Sequence, residues 1–160
     1  MSRPVKGKIF SRIISGGQTG VDRAALDAAQ ELGLEAGGWC PRGRRAEDGM
    51  IPERYPLQET GSWKYPVRTR KNVLNSDGTL ILIQGAPQGG TALTISLAEK
   101  LGRPYRIVDL ILEPSRKPGI RVWGMQNRIR ILNVAGPRES EAPGIYDRAL
   151  QFLLQLLREL

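Results

Sequence analysis

The chain has 160 residues, 40% of them hydrophobic, and a net charge of +8 from 18 arginines and 6 lysines against 16 acidic residues. That length and balance suit one domain over residues 1–160 with a continuous core and exclude a disordered chain. Histidine is absent and Cys40 is the only cysteine, which excludes an internal disulfide, the usual zinc ligand sets and both Ser-His-Asp and Cys-His catalysis.

The basic positions Arg3, Lys6, Lys8 and Arg12 precede no apolar segment of signal-peptide length, and no run reaches transmembrane length. The chain is therefore read as soluble and cytoplasmic, without a membrane partner. Short apolar runs alternate with segments of helical period, the pattern of βα units around a parallel sheet. The expected fold class is α/β: a Rossmann-like doubly wound, mainly parallel sheet of about five strands with helices on both faces.

The first strand is read over residues 8–15. A helix over 21–32 puts Val21, Ala24, Ala25, Ala28 and Leu32 on one face and stops at Gly33. The second strand covers 35–40 and ends at Cys40, read as a small buried hydrophobe. Residues 41–66 hold four prolines and three glycines without a period, too long for a connector and so expected to act as a lid. Within them Tyr55, Trp63 and Tyr65 either anchor the loop or stack on a ring. A helix opened by Arg68, Arg70 and Lys71 leads into residues 79–83, whose unbroken apolarity marks the sheet centre. The next helix starts near Ala92 and presents Leu93, Leu97, Ala98 and Leu101; strands follow at 105–112 and 129–135. The last helix, 146–160, makes a core stripe of Leu150, Leu153, Leu154, Leu157 and Leu160. Phe152 and Leu156 fall on its flank, a surface for self-association into a homodimer.

Two turns carry the chemistry. Strand one runs into Ser15, Gly16, Gly17, Gln18, Thr19, Gly20, Val21 and Asp22, so a glycine turn opens a helix. Glycines let the backbone approach a ligand, and the free amides and dipole of a helix start attract an anion. The plainer reading has Thr19 capping the helix with Asp22 in the place of a capping-box glutamate. The central strand ends in Gly85, then Gln88, Gly89, Gly90 and Thr91, the same strand, glycine and helix order. On adjacent strands the two turns would form a cleft beyond the strands' carboxyl ends. Arg42, with Arg44 and Arg45, follows strand two toward that cleft. Arg68 near a helix start calls for an anion to offset the dipole. The binding set is thus Gly16, Gly17, Gln18, Thr19, Gly20, Asp22, Arg42, Arg68, Gly85, Gly89, Gly90 and Thr91, with no catalytic or metal-ligating residue assigned; any metal would be a hard ion such as Mg²⁺.

The sequence resembles the putative molybdenum carrier family at residues 15–22, at Gly38-Trp39-Cys40-Pro41-Arg42-Gly43 with Ala46-Glu47-Asp48-Gly49, at Arg68-Thr69 with Asn72-Val73, at Ser76-Asp77-Gly78-Thr79 and at Gly89-Gly90-Thr91. The five motifs stand in order over roughly residues 13–102. That family is similar to the LOG-type phosphoribohydrolases and the DNA-processing protein DprA, and the resemblance implies a nucleotide-like ligand in the crevice or, from the family's name, molybdenum cofactor. The LOG pattern places a catalytic glutamate soon after its Gly-Gly-x-Gly-Thr; here no acid follows Thr91 before Glu99, which removes the group that would stabilise a glycosidic transition state.

Three functions stay open at this point. The first is a carrier or binding protein for a phosphate-bearing nucleotide or pterin. The second is a hydrolase using Asp22, Asp77, Glu47 or Asp48. The third is a single-stranded nucleic-acid binder of the DprA kind, marked by salt-dependent affinity.

Overall fold

In chain order the elements are β1 (Arg12–Ile14), α1 (Val21–Glu31), β2 (Glu35–Gly37), β3 (Trp39–Cys40), β4 (Arg45–Ala46), β5 (Gly49–Met50), β6 (Gln58–Glu59), α2 (Tyr65–Leu74), β7 (Gly78–Ile83), α3 (Gly89–Lys100), β8 (Tyr105–Asp109), α4 (Lys117–Gln126), β9 (Ile131–Ala135) and α5 (Ile145–Arg158). The structure is a computed structural model that describes residues 8–113 and 117–158. Arg3, Lys6 and Leu160, named above, lie outside the described residues. Among the described residues no helix is long and apolar enough to cross a membrane.

Five strands pair in parallel in the order β2-β1-β9-β7-β8. The alternation of side chains along a strand divides the sheet into two unlike faces. Ile13, Leu80, Leu82, Val108, Leu132 and Val134 point to one side, where α1, α4 and α5 close a continuous apolar core. On the other side lie Ile14, Ile81 and Ile83, but also Thr79 and Asn133, which sit side by side in the register and share a hydrogen bond of 3.2 Å. Helices α2 and α3 pack together over that side. The doubly wound α/β arrangement expected from the sequence is what forms, with a dry face and a polar one.

Counted from β9, the sheet reads 3-2-1-4-5, the first five positions of the Rossmann order. The point where the order reverses then falls between β9 and β7. This corrects the expectation that the two glycine turns leave adjacent strands: β9 separates β1 from β7. Strand pairing is a long-range choice that apolar runs cannot encode, so the insertion of the last strand at the centre was invisible in the sequence.

Other boundaries shift for local reasons. Helix α3 starts at Gly89 rather than near Ala92, and α4 was not expected because Pro118, Gly119 and Gly124 dilute its period. Residues 41–66 form one small ribbon of their own, β4–β5, and a second by pairing β6 with β3 just before them, closed over a second apolar cluster of Leu26, Cys40, Ala46, Ile51, Tyr55 and Leu57. Tyr55 anchors this loop, its hydroxyl donating to Asp27 at 2.8 Å. Phe152 and Leu156 are only 5% and 1% exposed, inside the main core, while Leu150 and Leu154 are the partly buried ones. The helix is rotated from the orientation expected, because α1 and the sheet both claim its apolar side, and the flank offered for self-association does not exist.

Candidate functional site

Beyond the carboxyl ends of β1, β9 and β7 lies a cavity of about 340 Å³. Its walls come from the turn after β1 (Gly16, Gln18, Asp22), from α2 (Tyr65, Arg68, Thr69, Asn72), from the start of α3 (Gly89, Gly90, Thr91, Thr94) and from the end of β9 with the loop behind it (Asn133 to Pro137, Arg138, Glu141). The cavity thus occupies the reversal point of the sheet, the place such folds keep for ligands.

The turn after β1 is wired inward. The Gly17 amide donates to Ser15 Oγ, the Gln18 amide to Asp22 Oδ2, the Thr19 amide to Gln18 Oε1 and the Val21 amide to the Pro137 carbonyl. Thr19 does not cap α1: the N-cap is Gly20, and the Thr19 hydroxyl donates to Glu47 while accepting from the Glu139 amide. Glu47 also accepts from the Ser140 amide at 3.2 Å and the Ser140 hydroxyl at 2.5 Å. Although burial raises its pKa, the Ser140 and Thr19 hydrogen bonds hold the Glu47 carboxyl below its ordinary value. Most of the amides that make a glycine turn attractive to an anion are therefore spent within the protein.

The start of α3 is the reverse case. No side chain caps it. Among the described residues the Gly89 and Gly90 amides meet no acceptor, whereas those of Thr91 and Ala92 both return to the Gln88 carbonyl. A side chain on Gly90 would meet open space. Two unsatisfied donors and the positive end of a twelve-residue helix therefore face the cavity.

Arg68 stands across from them, 9% exposed. Its Nη1 donates to the Gly16 carbonyl at 2.7 Å and its Nε to Thr69 Oγ1 at 3.2 Å, and the guanidinium lies 5.1 Å from the centroid of the Tyr65 ring. Gly16 makes room for it: a Cβ there would come within 2.5 Å of Nη1. Among the described residues Arg68 forms no ion pair, and its charge acts on the Asp22 carboxyl nearby. Asp22, 7% exposed, shares the same wall. Burial pushes its carboxyl up to about 6, against the opposing pull of Arg68.

Sequence reasoning missed the third wall. Gly136 lets the end of β9 pass against the Leu82 carbonyl and Val21. Arg138 then reaches the cavity rim, paired with Glu141 at 2.9 Å and with Glu47 at 3.6 Å. Strand, Gly, Pro, Arg was the available signal, obscured because the helix begins only at Ile145. Of the predicted set, Gly16, Gln18, Asp22, Arg68, Gly89, Gly90 and Thr91 line the cavity; Gly17, Thr19, Gly20, Arg42 and Gly85 do not. Arg42 is exposed, and Arg138 holds the rim position expected of it. Of the proposed hydrolytic acids, Asp77 is at the far end of β7, where Oδ2 accepts from the Arg130 and Ile131 amides at 3.0 and 2.8 Å. Asp48 is bound to Arg23.

A model of the circularly permutated YpsA SLOG family matches residues 13–157. A crystal structure of a putative molybdenum carrier protein from Syntrophus aciditrophicus SB is 45% identical, with a TM-score of 0.89, the match covering 94% of this chain and 96% of that one. No curated protein matches.

Proposed function

The chain belongs to the circularly permutated YpsA SLOG family, and from that premise we propose that it is a cytoplasmic binding or carrier protein for a phosphate-bearing ligand of nucleotide or pterin type, molybdenum cofactor included. The observation that carries this reading is the pair of unsatisfied Gly89 and Gly90 amides opposite the unpaired charge of Arg68. A phosphate between them would satisfy both helix-start donors and take a charge-assisted bond from the guanidinium. Asn133, Thr91 and Asp22 would then meet the ligand's uncharged polar groups, and Tyr65 its ring. The molybdenum carrier named among solved structures supports a carrier role over a catalytic one. Among the described residues no three His, Cys, Asp or Glu side chains converge as metal ligands, so the donors present suit the anionic part of such a cargo.

The test is calorimetric titration with inorganic pyrophosphate and AMP, alongside mass spectrometry of whatever co-purifies. Arg68→Ala is expected to lose about 1.5–3 kcal/mol of affinity, the range for a hydrogen bond to a charged group. Gly90→Val should block the helix start while the protein still melts cooperatively. Undiminished binding in both variants would end this reading.

A hydrolytic reading has one observation in its favour, the buried Asp22 carboxyl whose pKa sits near 6 in the cavity. Steady release of base or phosphate from AMP by pure protein, lost in Asp22→Asn, would favour it over carriage. Homodimerisation belongs to the same proposal only on another surface, the open sheet edge at β8 with Ile107, Ile111 and Leu112 exposed. Light scattering at roughly tens of micromolar protein, where modest interfaces associate, checks it.

A further inference from the structure

At the other end of the sheet the sequence leaves four cations that the cavity between α2 and α3 does not use. Lys8 and Ile9 lead into β1, Arg128, Ile129 and Arg130 lead into β9, and Arg121, Gly124 and Met125 lie on α4; together they line a shallow cavity of about 760 Å³. These are the amino ends of the strands, so about 16 Å, the length of the five-residue β9, separates this cavity from the first. No carboxylate is among its lining residues. The acid beside it, Asp77, spends Oδ2 on the Arg130 and Ile131 amides and thereby fixes the backbone that presents Arg130.

Arg128 supplies an independent observation. The Ile129 amide donates to the Gly124 carbonyl at 2.9 Å and the Arg128 amide to the Met125 carbonyl at 3.2 Å, the Schellman closure of a helix, which puts Arg128 in the left-handed region at φ 52°. Glycine takes that conformation without the Cβ penalty, and it is the usual residue there. The helix dipole accounts for one cation near the end of α4, but not for Lys8 and Arg130 beside it. An arginine stands where glycine fits the backbone better, and it lines the cavity.

The floor is apolar. Gly124 lets α4 lie against the Phe10 ring, 2.9 Å from where a Cβ would stand, and Met125 is 62% exposed beside Ile9 and Ile129. Cations next to the exposed Met125 thioether and the half-buried Ile9 suit an anion that carries an apolar or aromatic part rather than a bare oxyanion.

We propose that Lys8, Arg121, Arg128 and Arg130 form a second phosphate-directed site, taking a nucleotide either free or as part of a single-stranded chain. This inference stands apart from the carrier reading, since no residue is shared. It is tested by fluorescence anisotropy with labelled dT12 and by calorimetry with ADP. Arg128→Gly and Arg130→Ala should each weaken binding about tenfold, the loss of one charge-assisted contact. Arg128→Gly should do so without lowering Tm, because the backbone is relieved. Arg68→Ala should leave dT12 affinity within about twofold, which keeps failure of this site separate from failure of the first. Saturable binding of dT12 alone assigns a chain, and ADP binding that Arg130→Ala weakens and Arg68→Ala spares assigns a free nucleotide at this site. Loss of dT12 binding in Arg68→Ala, an equal loss in the distant Arg54→Ala, or no saturable binding of either probe that Arg130→Ala weakens would overturn the proposal.

Discussion

Asp22 sets two demands against each other: the helix start favours an acid in its first turn, and burial disfavours that acid's charge. Its folded-state value of about 6 lies above the ordinary 3.8, so the fold takes up a proton. The stability tied to this group is fully present below about pH 4 and is lost as pH rises through 6. Asp22→Asn keeps the neutral shape, and its stability relative to wild type should improve by about 3 kcal/mol from pH 4 to pH 8, following the rough size of the shift. Urea unfolding of both proteins at pH 4, 6 and 8 measures this; parallel pH profiles would contradict it. Glycines of the two turns also part company at this scale. Gly17 has φ 76° and a Cβ there would meet Leu57 at 2.5 Å, so Gly17→Val should unfold the 41–59 loop, whereas Gly90→Val has room and should silence binding alone.

At the scale of elements, the loop over residues 41–66 behaves as a bolted flap organised from within by one side chain. Arg44 donates to four backbone carbonyls, those of Ile51, Leu57, Pro52 and Tyr55, at 2.8–3.3 Å. Arg44→Ala should therefore cost about 3 kcal/mol, seen as a Tm lowered by roughly 6–10 °C, and lysine should not rescue it, because a point charge cannot reproduce the fork. Arg42→Ala, at an exposed position, should shift stability by no more than about 0.5 kcal/mol. The sequence placed a charged arginine cluster here but gave no means of separating Arg42 from Arg44, since backbone carbonyls have no signature in side-chain pattern. The strands and most helices were legible because apolar runs and helical period are local. What escaped were the features fixed by distant chain: the seat of β9, the rotation of α5, and the Gly136 to Arg138 wall. The same cause explains why the predicted residues part, Gly89, Gly90 and Arg68 facing the cavity while Gly17, Thr19 and Gly20 turn to protein partners.

For the whole molecule the sheet order makes a claim about connectivity. Since β2-β1-β9-β7-β8 becomes the Rossmann order when counted from β9, the chain's breaks fall between elements that the fold would tolerate joined. Helix α5 runs back from the cavity end toward the amino ends of the strands, where Arg158 pairs with Glu31 of α1 at 3.6 Å and β1 begins. The described chain therefore begins and finishes at the same end of the sheet. A permutant that starts at Arg128, ends at Asn127 and joins the old termini through an added glycine-serine linker is expected to fold with every strand pairing intact. The cut falls in an exposed turn, where permutation is tolerated. It breaks the Schellman closure of α4, so Tm should drop by a few degrees, corresponding to about 1 kcal/mol for a lost cap. Pyrophosphate affinity at the cavity between α2 and α3 should stay within about twofold of the parent, because none of its walls is cut. A permutant that is soluble and folded but has lost that affinity would show that the reversal point between β9 and β7 depends on the order of connection, and the account of the site given by its topology would fail.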